Sequence, residues 1–195
     1  MSVGMTPLSL LQRLQEGRDD DAWHRLDRLY RPWVLGWLVR QGVSEADAED
    51  LGQEVFSVVH RRLAEFDHSG RVGAFRTWLR TITIHYLKGY WRKRLHGVAR
   101  RDEVDLAGLA DPDDTLERLW DREHDTAIAQ RLMLLIEPEF SPATWRAFRR
   151  QVLDGEKADR VSAEMGLSVN AVLIAKSRVL RRLRQEGAGL IDVLS

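Results

Sequence analysis

The sequence predicts an all-α protein of two small helical domains joined by a flexible linker, the C-terminal one a helix-turn-helix. Three observations lead there. Apolar residues recur at three- and four-residue steps over long stretches, most clearly Trp23, Leu26, Leu29, Tyr30, Trp33 and Trp37. Nothing shows the strict alternation of a half-buried strand. Between two periodic halves, residues from about His96 to Pro112 mix small, charged and glycine residues without a clear period.

The elements follow in order. Thr6-Pro7 supplies a cap and a proline at the first helical position, opening a helix from Leu8 to Gln15 that ends near Gly17. A second helix spans Asp21 to Arg40 and stops at Gly42. Ser44 and Asp47 have capping-box spacing and open a third, Glu45 to Phe66, with an apolar stripe of Ala48, Leu51, Val55 and Val59. Residues 67–73 read as a loop, and a fourth helix runs from Phe75 to Leu95. The first domain is thus expected over 1–95, the linker over 96–112 and the second domain over 113–195. In the second, a helix from Asp113 to Ile136 stops before Glu137-Pro138, and Ser141-Pro142 starts another that reaches Leu153. Lys157 to Met165, Gly166, and Ser168 to Glu186 then read helix, turn, helix.

Composition narrows the class. With 44% hydrophobic and 31% charged residues in 195, the chain is not mostly disordered. It has no cysteine, which excludes a disulfide framework and a thiolate zinc site. No apolar run approaches the roughly 20 residues that span a bilayer, and Met1 to Leu14 lacks the pattern of a secretory signal. A cytoplasmic protein without cofactor or metal is the expectation.

The formal net charge is zero, yet the charges are segregated. Lys88, Arg92, Lys93, Arg94, Arg100 and Arg101 follow one another with no acid between them. An acidic stretch from Asp102 to Asp125 comes next, interrupted only by Arg118 and Arg122. A second basic run, from Lys176 to Arg184, closes the chain. Nucleic acid responds to potential within about 8 Å at physiological salt, not to the molecular sum. The pattern fits two DNA contacts with an insulating or partner-binding stretch between them; it also fits solvated helix faces.

Three segments carry candidate chemistry. From Val161 to Arg182, Gly166 suits a left-handed helix end and Ser168 can cap the next helix. There Val172, Ala175, Val179 and Leu183 form a core stripe, and Asn170, Ile174, Ser177, Arg178 and Arg181 form an outer face suited to a major groove. In the third helix, Asp47, Asp50 and Glu54 make an acidic stripe flanked by Gln53 and Phe56, which look exposed. That stripe fits a docking face or a plain solvated surface. In the fourth helix, Trp78, Ile82, His85 and Gly89 share one face, with Tyr86, Tyr90 and Trp91 among basic residues. Such aromatics fit either helix packing or the stacking of unpaired bases, and an interior glycine leaves room beside it.

Read together, Asp47 to Phe56, Phe75 to Ile82 and Val161 to Arg182 resemble the extracytoplasmic-function class of the sigma-70 family of bacterial RNA polymerase sigma factors. The resemblance covers about Thr6 to Asp192. It implies a subunit that directs promoter recognition and DNA opening, with no chemistry of its own. By this resemblance Asp47, Asp50, Gln53 and Glu54 dock on the clamp helices of the polymerase β′ subunit, and the second domain meets the β flap. Phe66, Ile82, His85 and Gly89 line a pocket for a flipped base of the −10 element, with Lys88, Arg92, Lys93 and Arg94 along the backbone. Ser168, Asn170, Leu173, Ile174, Ser177, Arg178 and Arg181 read the −35 element. An anti-sigma partner is implied too; without cysteine in this chain, any redox sensing lies in that partner. The chain departs from the family pattern at His85 and Gly89, where asparagine and aspartate or asparagine are usual, and at Leu173, where a basic residue is usual.

Two other readings compete. A helix-turn-helix regulator acting without polymerase would use the first domain as a sensor or dimerisation unit. A metal phosphohydrolase of the HD type would build on His124-Asp125, with His60, His68 and Asp154 completing a site. Against the latter, His124 lies in an acidic amphipathic helix.

Overall fold

The computed structural model describes residues 9–16, 19–66, 73–96 and 114–191, and every regular element among them is helical. The expected Thr6-Pro7 helix start, loop residues 67–72 and the linker beyond His96 lie outside the described residues.

Helix α1 (Leu10–Gln15) begins after Ser9. Ser9 Oγ accepts the Gln12 N–H at 3.2 Å, and Gln12 Oε1 accepts the Ser9 N–H at 2.8 Å, a full capping box. Helix α2 (Asp20–Arg40) is capped by Asp19, which accepts the Ala22 N–H at 3.0 Å. Helix α3 (Glu45–Arg62) starts at Ser44 with only half of the expected box. Ser44 Oγ accepts the Asp47 N–H, but the Asp47 carboxylate takes the Ser44 hydroxyl at 2.6 Å and leaves the backbone N–H of Ser44 alone. A 3₁₀ turn, Leu63–Glu65, replaces the expected last turn of this helix. Helix α4 (Ala74–His96) follows Gly73, whose φ of 76° suits a residue without Cβ.

Helix α5 (Asp114–Ile136), a 3₁₀ turn at Glu137–Glu139, α6 (Pro142–Val152), α7 (Ala158–Met165) and α8 (Val169–Gly187) complete the order. Among the described residues no helix is long and apolar enough to cross a membrane.

Helices α2, α3 and α4 pack consecutively. The α2–α3 approach is close because a Cβ on Gly52 would lie 2.5 Å from Leu35 Cδ2. Phe56, expected at the surface, is buried in this core, with the Arg31 guanidinium 4.7 Å from its ring centroid. The misreading has a physical cause: Phe56 lies next to the Gly52 and Val59 side of α3, whose apolar stripe is wider than the four residues first assigned.

Helix α5 lies against α2 and α4, and α8 lies against α5, α6, α7 and α1. One apolar cluster therefore runs from Leu10 and Leu26 through Trp37 and Phe75 to Trp120, Val179 and Leu183. A smaller cluster of Ala147, Val161, Val172 and Ala175 serves the helix-turn-helix alone. At the far end Glu186, fully buried, accepts from Arg13, Arg25 and Arg182 at 3.2, 3.0 and 2.6 Å.

Candidate nucleic-acid interface

The helix-turn-helix is built as its residues dictate. Gly166 ends α7 at φ 64°, and the Leu167 N–H returns to Ser162 O at 3.1 Å. Ser168 caps α8 by accepting the Ala171 N–H at 3.1 Å. Gln151 Nε2 on α6 donates to Val172 O at 2.9 Å, fixing the first turn of α8 against its support. Arg150 bridges Glu156 and Glu164, and Arg160 pairs with Glu164 at 2.9 Å, which fastens α7 to α6. These pairings raise the Arg150 pKa and lower those of both carboxyls.

All four residues of the expected core stripe, Val172, Ala175, Val179 and Leu183, are buried. Ser168, Asn170, Leu173, Ile174, Ser177, Arg178 and Arg181 are all exposed. Leu173 and Ile174 show 46% and 42% of their surface, and Val169, at 39%, joins them. Sequence reading missed Val169; its four-residue spacing from Leu173 was the available signal. Polar, cationic and apolar groups thus share one surface of α8, the mixture that reads base edges and thymine methyls. Arg182, in the same basic run, turns elsewhere and pairs with Glu139 at 2.6 Å.

On α3, Asp50, Gln53 and Glu54 are exposed. Asp47 is half-buried and also accepts the Tyr90 phenol at 3.0 Å. The Ser44 hydroxyl and then the Tyr90 phenol hold its carboxyl below the usual range. Arg94 in turn donates to the Tyr90 oxygen at 2.8 Å. A chain of hydrogen bonds therefore joins one residue of the acidic stripe to one of the basic run on α4.

On α4 the expected pocket residues divide. Ile82 is wholly buried and supports the face from below. His85 and Gly89 are half-buried, and a Cβ on Gly89 meets nothing within 4 Å among the described residues. Phe66 is half-buried, its ring 4.9 Å from that of Trp78, and its carbonyl accepts Gln15 Nε2 at 2.6 Å. Lys88 is half-buried, and Arg92, Lys93 and Arg94 are exposed.

Among the described residues, His124 and Asp125 form no metal site with His60 or Asp154. His124 is buried against Trp33, ring centroids 5.2 Å apart, and its Nδ1 lies 2.7 Å from Asp125 Oδ1. His60 instead lies tilted against Trp23, ring centroids 4.4 Å apart, Asp154 is exposed beyond α6, and His68 lies outside the described residues. Among the described residues no cluster of His, Asp and Glu is placed to hold a metal ion.

Known proteins resemble this chain along most of its length. Residues 26–96, which include most of α2 and all of α3 and α4, match the family model for Sigma-70 region 2. The chain is 26% identical over 186 residues to the ECF RNA polymerase sigma factor RpoE of Cereibacter sphaeroides, covering 91% of this chain and 93% of that one. It is 25% identical over 177 residues to the RNA polymerase sigma factor CarQ of Myxococcus xanthus, covering 90% and 94%. A regulator working without polymerase accounts for the helix-turn-helix but not for region 2. With a Sigma-70 region 2 match on its first helices and a likeness that spans about nine-tenths of its length, the chain is a distant relative of proteins named as extracytoplasmic-function sigma factors.

Proposed function

We propose that this non-enzymatic subunit carries core RNA polymerase to its promoters through three separate surfaces. The exposed Asp50, Gln53 and Glu54 of α3, with Asp47 at their edge, dock on the β′ clamp helices. The outer face of α8 enters the major groove of the −35 element, and the helix-turn-helix unit meets the β flap. The α4 surface at His85 and Gly89, with Phe66, takes a flipped base of the −10 element, and Lys88, Arg92, Lys93 and Arg94 follow the backbone. Extruding a base costs a few kcal/mol, and stacking contributes about 1–3 kcal/mol per base, so preferential binding shifts the duplex towards the open form. The cytoplasm is the setting, and an anti-sigma protein is the expected regulator. Residues 1–95, 96–112 and 113–195 serve as region 2, linker and region 4.

One observation carries this reading: every residue assigned to the groove-reading face of α8 is exposed, while the four facing inward are buried. Direct association with purified core polymerase tests the docking face. Binding is expected for the native chain and lost when Asp50 and Glu54 are both reversed to lysine. Undiminished binding by that double variant overturns the assignment.

A further inference from the structure

We propose that Gln15 is a positioning residue for −10 recognition, holding Phe66 in place at the edge of the base pocket. This rests on the reading that Phe66, His85 and Gly89 take the flipped base.

Helix α1 has no part in any of the three surfaces, yet it is firmly built. Leu10, Leu11 and Leu14 are buried, and the Ser9–Gln12 capping box closes its start. Six residues make too short a helix to persist alone, so its place is set by what it packs on. Its neighbours include α2 and the 3₁₀ turn Leu63–Glu65. From its last residue, Gln15 Nε2 donates to Phe66 O at 2.6 Å, a bond between residues 51 positions apart.

Phe66 depends on such an anchor. Its own N–H returns to Leu63 O at 3.1 Å, the poorer geometry of a 3₁₀ turn, and its backbone then leaves helical space at ψ 110°. Leu63 is wholly buried and fixes the start of the turn. Gln15 fixes the end. Held at both places, the peptide plane after Phe66 is not free to rotate, and the direction of its side chain is set with it.

That direction bears on the pocket. The Phe66 ring lies 4.9 Å from Trp78 and 6.0 Å from Phe75, centroid to centroid. Phe75 is buried and Trp78 half-buried. Trp78 stands two turns before His85 on one face of α4. The Phe66 ring thus rests against the first aromatic of the face that carries His85 and Gly89. Selection among bases is a difference of fits, and it suffers when a supporting contact lets the site move by half an ångström.

The test compares promoters within one reaction. Gln15→Leu removes the donor at similar volume, and Gln15→Glu keeps the shape without the donor. Core polymerase carrying each full-length variant transcribes, in competition, two copies of the promoter of the protein's own operon that differ at one −10 base. The ratio of transcripts does not depend on how much of a variant is folded. At the most selective position it is expected to fall about three- to tenfold for both variants, the scale of one hydrogen bond, with polymerase affinity unchanged. Phe66→Ala is expected to shift the same ratio. A ratio that Phe66→Ala shifts and the Gln15 variants do not overturns the anchor and leaves the pocket reading standing; if none of the three shifts it, both fall. An equal loss of transcript from every promoter overturns the positioning role, because a bond that only stabilises the fold acts on all of them alike. A shift with Gln15→Leu that Gln15→Glu lacks overturns it too, because the hydrogen bond is then not the cause.

Discussion

Trp120 meets Trp33 edge to face, ring centroids 4.2 Å apart, and this contact joins α5 to α2. Both side chains belong to the same apolar cluster, and Trp120 is among its largest wholly buried members. The Trp120→Ala variant should lose about 3–5 kcal/mol of stability through the cavity it leaves. Urea unfolding of the two proteins measures this; a loss under about 1 kcal/mol would show that the indole is not packed as described.

Acid should act through the same place. Burial lowers the His124 pKa, outweighing the hydrogen bond to Asp125 that raises it. The unfolded chain therefore binds a proton that the folded chain resists, so this contribution is complete above about pH 6.5 and lost as pH falls below it. Melting temperature should begin to fall near pH 6, before the carboxylates titrate, and His124→Phe should flatten that limb. Identical pH profiles for the two proteins would contradict the assignment.

Arg178 is exposed on α8 beside Ser177, with Ile174 one turn away. Arg178→Ala should weaken duplex binding by about 1–3 kcal/mol and relax preference at one or two positions of the −35 element. Binding to a randomised duplex library reads both effects. An unchanged selected sequence with weaker affinity would reassign Arg178 to phosphate contact.

His85, where the resembled family usually has asparagine, lies half-buried on the side of α4 that carries Gly89. His85→Asn should alter the preferred −10 base more than polymerase affinity. Transcription from promoters varied at each −10 position compares the two, and an unchanged preference removes His85 from the pocket.

Much of this was legible in the sequence because it is local. The Gly166 turn, the Ser168 cap and the buried stripe of α8 follow from spacing alone, and all three are in place. What depends on the partner surface was not. Phe56 reads as exposed until α2 is known to pack against α3, and the full burial of Ile82 on α4 is not set by spacing alone. The packing of α5 on α4 was hidden for the same reason. Asp121 and Asp125 are simply acidic residues on an amphipathic helix until Arg76 and Arg80, some forty residues away, are brought alongside.

The central claim is that this chain gives core polymerase its promoter. The most direct measurement is run-off transcription with purified core polymerase on the promoter of the protein's own operon. The account predicts a defined transcript that requires the native chain and disappears with Asp50→Lys/Glu54→Lys. A transcript of unchanged start site and yield without the chain, or none with it, would contradict the account.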